Sequence, residues 1–227
     1  MNDRTPLAPL QVAEEELDDW RLLFHGLHAC YRFPDFATGL RLVAAIGAVA
    51  EELDHHPDLD LRYGRLRVRL ASHDAHGVTA RDVRLARRIS ALVAEQSGQS
   101  GQVRADPGSL QVLELALDSA DHTAVKPFWR AVLGLADSPN YDQELIDPDG
   151  SLPTLWFQET QPHEEPRQRF HVDVRVPPEV APGRVAAALD AGGTLVSEER
   201  APTFWVLADA QGNRACVTTW QGRDGQG

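Results

Sequence analysis

Cysteine is scarce in this sequence of 227 residues, which contains only Cys30 and Cys216. The two lie far apart and form no spaced pair, so neither a disulfide framework nor a cysteine zinc motif is indicated. Long apolar runs are also lacking. No stretch approaches the roughly 18 to 20 consecutive apolar residues of a membrane span, and residues 1–19 contain no apolar signal core. The sequence therefore predicts a cytoplasmic protein without a membrane partner.

Basic residues are also few compared with acidic ones. Lys and Arg together number 22 against 34 for Asp and Glu, which gives a net charge of −12. Such a surface repels phosphate backbones, so no nucleic-acid partner is expected. The imbalance is uneven, with a net charge of −3 over residues 1–100 and −9 over residues 101–227. Hydrophobic residues make up 42% of the chain, which is enough to form one or two cores.

Domain boundaries follow from length and composition. Because domains average roughly 150 residues, a chain of this length favours two small ones. Residues 94–108 are rich in Ser, Gly and Gln, which is typical of a flexible connector. We predict a first domain at 1–96, a linker at 97–109, a second domain at 110–221 and a tail at 222–227.

Hydrophobic periodicity predicts the elements of the first domain. Apolar residues at steps of three and four indicate a helix from Phe36 to Leu53, with Asp35 as its cap. Alternating residues within 59–70 indicate a hairpin, and a second helix starts at Thr79. With an upstream strand at 27–33, these elements predict an α+β domain that has helices on one face of an antiparallel sheet.

Three histidines lie at the ends of these predicted elements. His55 and His56 lie at the helix end directly before Pro57, and His73 comes just after the hairpin. Because Pro57 disfavours helical geometry at His56 and the hairpin returns the chain, we expect the three imidazoles to share one cleft. Imidazole titrates near neutral pH, so such a cluster can hold an acid and a base together. Spacing alone leaves catalysis, a metal site and a solvated helix end open.

The surrounding run resembles a known family. Residues 50–86, AEELDHHPDLDLRYGRLRVRLASHDAHGVTARDVRLA, contain Glu, His-His-Pro, a Tyr six residues after the Pro, an alternating strand, a Ser-His pair and a Thr-x-x-Asp helix start. This order is similar to the signature of the pterin-4a-carbinolamine dehydratases. The preceding CYRFPDFATGLRLV is similar to the family's approach to its first long helix. The resemblance covers about residues 18–95.

The resemblance implies an enzyme, a hydro-lyase that eliminates water from a 4a-hydroxytetrahydropterin to give the quinonoid dihydropterin during tetrahydrobiopterin recycling. It implies a pterin as substrate and no metal or other cofactor. The acid-base set that it implies, without saying which ring is acid and which is base, is His55, His56 and His73. The residues that it implies orient or contact the pterin are Glu51, Asp54, Pro57 and Asp74.

Two positions depart from the family pattern. His76 stands where many relatives have a small residue, and Leu59 where some have Trp, so we expect an altered pocket rim. The resemblance further implies a homo-oligomer, either a dimer or a tetramer. Because the family includes transcriptional coactivators and assembly factors, the alternative function is a non-catalytic scaffold that retains the fold.

The second domain resembles the glyoxalase-like, vicinal-oxygen-chelate family. The similarity lies in LELALDSADHTAVKPFWRAVLGL, LWFQET, RFHVDVRV and LADAQGNRACVTTW, in that order over about residues 110–220. It implies paired βαβββ modules. The positions that match the metal ligands of metal-using members are Glu114, His171 and Cys216. Since the usual first-strand His and final Glu are missing, we expect no working metal, with a metal-dependent lyase or dioxygenase as the alternative.

Overall fold

The computed structural model describes residues 3–100, 103–110, 112–162, 172–176, 179–219 and 221. The chain divides into two compact units, Met1–Val112 and Leu113–Gly227. Among the helices within those ranges, none has the length and apolar character needed to cross a bilayer.

The first unit is an α+β fold built around one antiparallel sheet. Its strands run in the order β1-β2-β4-β3, and β5 pairs with β2. The elements are α1 (Pro9–Glu14), β1 (Trp20–Leu23), β2 (Gly26–Arg32), α2 (Phe36–Leu53), β3 (Asp58–Arg62), β4 (Arg65–Leu70), α3 (Ala80–Ser100) and β5 (Arg104–Ala105). The predicted first helix and the hairpin both form. Asp35 caps the helix as predicted, because its carboxylate accepts a hydrogen bond from the Thr38 N–H at 2.7 Å.

Buried and half-buried side chains alternate along β4, and the buried ones show which face of this sheet carries the helices. Leu66, Val68 and Leu70 are buried, while the intervening arginines are only half-buried. The buried side chains share one core with Ile46 of α2 and Ile89 of α3. Both long helices therefore pack on one face of the sheet, as the sequence predicts.

The predicted linker at 97–109 is the main difference from the sequence-based boundaries. α3 continues to Ser100, and β5 pairs with β2 through the registers Tyr31 to Ala105 and Arg32 to Arg104. Val103 is buried in the first core. The Ser- and Gly-rich composition of residues 94–108 predicts a flexible connector, but the burial of Val103 and the pairing of β5 with β2 attach this part of the chain to the first unit.

The second unit repeats one βαβββ arrangement twice. The first copy contains β6 (Glu114–Ser119), α4 (His122–Leu133), β7 (Ala136–Asp137), β8 (Glu144–Ile146) and β9 (Thr154–Glu159). The second contains β10 (Val172–Arg175), α5 (Ala181–Asp190), β11 (Thr194–Ser197), β12 (Phe204–Ala208) and β13 (Arg214–Thr218). The sheet orders are equivalent, β6-β9-β8-β7 and β10-β13-β12-β11, with the first and last strand of each copy parallel. The implied paired βαβββ architecture is confirmed.

Two glycines of α2 provide a matched test of its packing. A Cβ on Gly39 would lie 2.6 Å from the Phe33 ring and 2.8 Å from Leu61 Cδ1, whereas a Cβ on Gly47 would meet nothing within 4 Å. We expect Gly39→Ala to destabilise the first unit by about 1–3 kcal/mol through overpacking. Gly47→Ala should stabilise it by about 0.5–1 kcal/mol because alanine loses less backbone entropy. Hydrogen exchange of α2 and β2 peptides measures both changes, and equal effects would contradict this packing.

Candidate active site

The end of α2 turns His55 towards the protein interior. Asp54 adopts a left-handed conformation with φ of 47°, and its N–H donates to the carbonyl of Glu51 at 3.3 Å. The His55 N–H donates to the carbonyl of Ala50 at 3.1 Å. These two bonds form the Schellman ending of a helix, in which the chain reverses within two residues. His55 is consequently buried, with 8% of its surface exposed.

The start of α3 places a carboxylate in the same interior. The Thr79 N–H donates to Asp82 Oδ2 at 2.7 Å, as a carboxylate three residues into a helix does in a capping box. The Thr79 hydroxyl lies 3.1 Å from the same oxygen. Asp82 is fully buried, so it depends on these donors for the solvation that water would otherwise supply.

The Asp82 carboxylate joins two loops that are distant in sequence. Its Oδ1 lies 2.7 Å from His55 Nε2, and its Oδ2 accepts a hydrogen bond from Ser72 Oγ at 2.7 Å. Ser72 directly precedes His73. One buried carboxylate therefore fixes both the His55 ring and the backbone position from which His73 projects.

The protonation of this cluster follows from its contacts. Burial raises the pKa of Asp82, but the hydrogen bonds from His55, Thr79 and Ser72 outweigh it and hold the pKa below its ordinary value. Asp82 is thus an ionised carboxylate, which only accepts hydrogen bonds. The His55 ring must then donate through Nε2–H, which leaves Nδ1 as the nitrogen that accepts a proton.

The other two predicted catalytic histidines are exposed. His73 begins a short 3₁₀ turn, His73–Ala75, and its carbonyl accepts from the His76 N–H at 3.4 Å. His56 Nε2 lies 3.1 Å from Glu51 Oε1, and both side chains are more than half exposed. Such an exposed pair holds the ring only weakly. The described contacts thus fasten His55 firmly, while His56 and His73 remain available to solvent.

The remaining predicted site residues occupy different environments. Asp54 acts through its backbone as the left-handed helix end, and Pro57 is half-buried just before β3. Asp74 forms an ion pair with Arg81, whose hydrogen bond lowers the pKa of that carboxyl despite some desolvation. His76 is exposed in a left-handed conformation, at φ of 50°. Leu59 lies on β3, where it is half-buried and packs against the first core.

Sequence reasoning missed Asp82 and Ser72 as members of the site. Two sequence features could have pointed to them, namely the Thr-x-x-Asp helix start that contains Asp82 and the position of Ser72 directly before His73. Neither feature by itself indicates a contact with His55. The sequence does not indicate that a carboxylate 27 residues after His55 reaches its ring.

Two of the three positions that match family metal ligands, Glu114 and Cys216, lie in described residues of the second unit. Glu114 is exposed at the start of β6, and Cys216 is buried on β13 opposite Asp173. Burial, with the Asp173 carboxylate adding to it, raises the pKa of the Cys216 thiol to about 11, which disfavours the thiolate that binds metals. His171 lies outside the described residues. In the described part of the chain, no three His, Cys, Asp or Glu residues group as metal ligands.

Comparison with known proteins agrees with the geometry of the first unit. The family model for pterin 4 alpha carbinolamine dehydratase matches residues 5–92. A relative from Acidobacterium capsulatum is 38% identical over 89 residues, which are 38% of this chain and 97% of the relative. One from Mycobacterium leprae is 36% identical over 80 residues, covering 35% of this chain and 85% of its own length. Both are named provisionally for this dehydratase. The chain belongs to the pterin-4a-carbinolamine dehydratase family.

A second domain is fused to the dehydratase domain. The model for a glyoxalase-like domain matches residues 114–218. Among solved structures, a transcriptional coactivator/pterin dehydratase from Brucella melitensis is 33% identical and covers 39% of this chain and 98% of its own, with a TM-score of 0.38. A glyoxalase/bleomycin resistance protein/dioxygenase family enzyme from Burkholderia phytofirmans is 19% identical and covers 47% and 95%, also with a TM-score of 0.38.

The lowered pKa of Asp82 predicts a pH-dependent effect of Asp82→Asn. The ionised carboxylate stabilises the fold above the ordinary carboxyl pKa of about 4, and this contribution is lost as the pH falls through the lower folded-state pKa. We expect Asp82→Asn to reduce the free energy of unfolding by about 1.5–3 kcal/mol at pH 7 and by less at pH 3. Hydrogen exchange of β4 and α3 peptides at both pH values measures it.

The exposed carboxylate of Asp58 provides the control, since Asp58→Asn should change stability little at either pH. An Asp82→Asn penalty that is as large at pH 3 as at pH 7 would mean that the carboxylate charge is not what stabilises the site.

Proposed function

We propose that the dehydratase domain eliminates water from a 4a-hydroxytetrahydropterin by histidine acid-base catalysis. The C4a–O bond breaks and the hydroxyl group leaves with an added proton as water. The N5 proton passes to a base, and the N5 electrons form the N5=C4a double bond of the quinonoid dihydropterin. The observation that carries the proposal is the Asp82 carboxylate shared by His55 and Ser72.

We assign His55 as the base on the chemistry of its ring. With Nε2–H held by Asp82, Nδ1 receives the N5 proton and the carboxylate stabilises the imidazolium that forms. Asp82 is therefore a positioning residue rather than a catalytic one. The two exposed histidines, His56 and His73, are the proposed donors of the proton to the leaving hydroxyl, because solvent access lets them exchange protons after each turnover.

The reaction is proposed to need no metal or other cofactor, since protons are the only species that the chain must supply or remove. A homodimer or tetramer and a cytoplasmic location stay predictions from the sequence.

Replacing each of the three histidines by Gln tests the proposal. General acid-base groups contribute about 10²- to 10⁴-fold, so we expect His55→Gln to lower kcat at least 100-fold. His56→Gln and His73→Gln should each lower kcat, and the variant with the larger loss identifies the main donor of the proton to the leaving hydroxyl. Stopped-flow absorbance of the quinonoid product measures the rate above the spontaneous dehydration in buffer.

His28 supplies a matched control within the same domain. It lies on β2 opposite Arg69, and burial, followed by the charge of Arg69, lowers its pKa to about 4, so its ring is neutral at pH 7. His28→Gln should retain the wild-type dehydration rate. Prior incubation with EDTA should leave the dehydration rate of every variant unchanged. A wild-type rate equal to that in buffer would reject catalysis and favour the scaffold function.

A further inference from the structure

The turn that carries His73 is closed at its base. Ser72 and Gly77 pair as an antiparallel bridge, in which the Ser72 N–H donates to the Gly77 carbonyl at 2.9 Å and the Gly77 N–H donates to the Ser72 carbonyl at 3.4 Å. The Ser72 hydroxyl also donates to the buried Asp82 carboxylate. The residue before His73 is therefore fixed to the start of α3.

Asp74, the residue after His73, is anchored to the same helix. Its carboxylate accepts a hydrogen bond from the Arg81 Nη2 group, and the two side chains form an ion pair. Arg81 is the second residue of α3 and directly precedes Asp82. Two adjacent residues in the first turn of α3 therefore hold the two residues that flank His73.

The Arg81 side chain lies against the protein surface and does not extend into solvent. Only 18% of it is exposed, and its Nε atom is buried without a hydrogen-bond partner among the described residues. A guanidinium with so little hydration interacts with a carboxylate more strongly than a fully exposed one does. The ion pair with Asp74 is therefore a firmer attachment than the exposed pair of His56 and Glu51.

A second cation reaches Asp74 from the amino-terminal segment. Arg4 Nε lies 3.8 Å from Asp74 Oδ2, and 69% of the Arg4 side chain is exposed. An exposed pair at this distance contributes little to the order of the carboxylate. Arg81 is thus the main partner of Asp74.

These contacts indicate a role for Asp74 that differs from the pterin contact implied by the family resemblance. A carboxylate that binds the pterin acts in the ground state, so its loss raises KM. A carboxylate that only holds the turn acts through His73, so its loss lowers kcat and leaves KM nearly unchanged. The two roles therefore differ in a measurable way.

We propose that Arg81 is a positioning residue of the dehydratase site, because its ion pair with Asp74 fixes the turn from which His73 donates a proton to the leaving hydroxyl. This inference rests on the proposed function, in which His73 is one of the two proton donors. Misplacement of a reacting group by about 1 Å can slow a reaction by about 100-fold, so a residue that touches no substrate can still govern the rate.

Stopped-flow dehydration by the full chain tests the role of Arg81. We expect Arg81→Gln to lower kcat about 10-fold and to change KM by less than about 2-fold. Arg81→Lys should recover most of the rate, because the described contact uses one nitrogen and lysine keeps the charge. Arg88→Gln is the matched control, since Arg88 lies on the same helix and forms an exposed ion pair with Glu52. It should change neither constant, and an equal loss in Arg88→Gln would overturn the proposal.

Double variants test whether the effect passes through Asp74 and His73. Residues that act as one unit have non-additive effects, so Arg81→Gln should lower kcat no further in an Asp74→Asn or a His73→Gln background. A further loss of the full size in the His73→Gln background would overturn the proposal. An Asp74→Asn variant with raised KM and unchanged kcat would do the same, because it would assign Asp74 to the pterin.

Hydrogen exchange of a peptide that contains residues 72–77 measures the anchoring without any turnover. This peptide should exchange faster in Arg81→Gln than in the wild type and should be unchanged in Arg88→Gln. Equal exchange in all three proteins would contradict the anchoring.

The failure of this inference is distinguishable from that of the proposed function. A wild-type dehydration rate equal to that in buffer would reject the proposed function and, with it, the role of Arg81 in catalysis. A normal wild-type rate that Arg81→Gln leaves unchanged would reject the inference alone.

Discussion

The first unit depends on one buried negative charge that is fully surrounded by donors. Asp82 closes the first turn of α3 through Thr79, holds the His55 ring through one oxygen and holds Ser72 through the other. An ionised carboxylate without these partners would be very unfavourable in the interior. The same bonds that stabilise the fold therefore fix a histidine tautomer, so stability and the proposed chemistry share one constraint.

The local part of this arrangement was predictable from the sequence, and the long-range part was not. Period-3.6 spacing and the Asp35 cap define α2, and the alternation of apolar residues within 59–70 defines the hairpin. His-His-Pro indicates that the chain leaves the helix near His55. Patterns describe neighbours within a few residues, however, and they contain no information on which carboxylate reaches a ring 27 positions away. In the sequence, Asp82 therefore stands out only as the last residue of the Thr-x-x-Asp helix start.

Short edge strands and the linker show a second limit. β7 has two residues and β8 has three, too few for a period-two pattern to be recognised. Glu144 consequently carried no signal, although its register with Trp156 places both side chains on one face of the sheet. The Ser- and Gly-rich segment misled for the opposite reason, because composition measures chain flexibility but not the pairing of β5 with β2. Where a segment packs depends on contacts that composition does not encode.

The tautomer of His55 is the most direct test of this account. A long-range proton–nitrogen correlation NMR spectrum of the chain labelled at its imidazole nitrogens resolves the protonation of each ring. We predict that the neutral form of the His55 ring carries its proton on Nε2, whereas the neutral form of the exposed His56 ring averages between its two tautomers. A His55 ring protonated on Nδ1 alone, or one averaging between tautomers as His56 does, would contradict it.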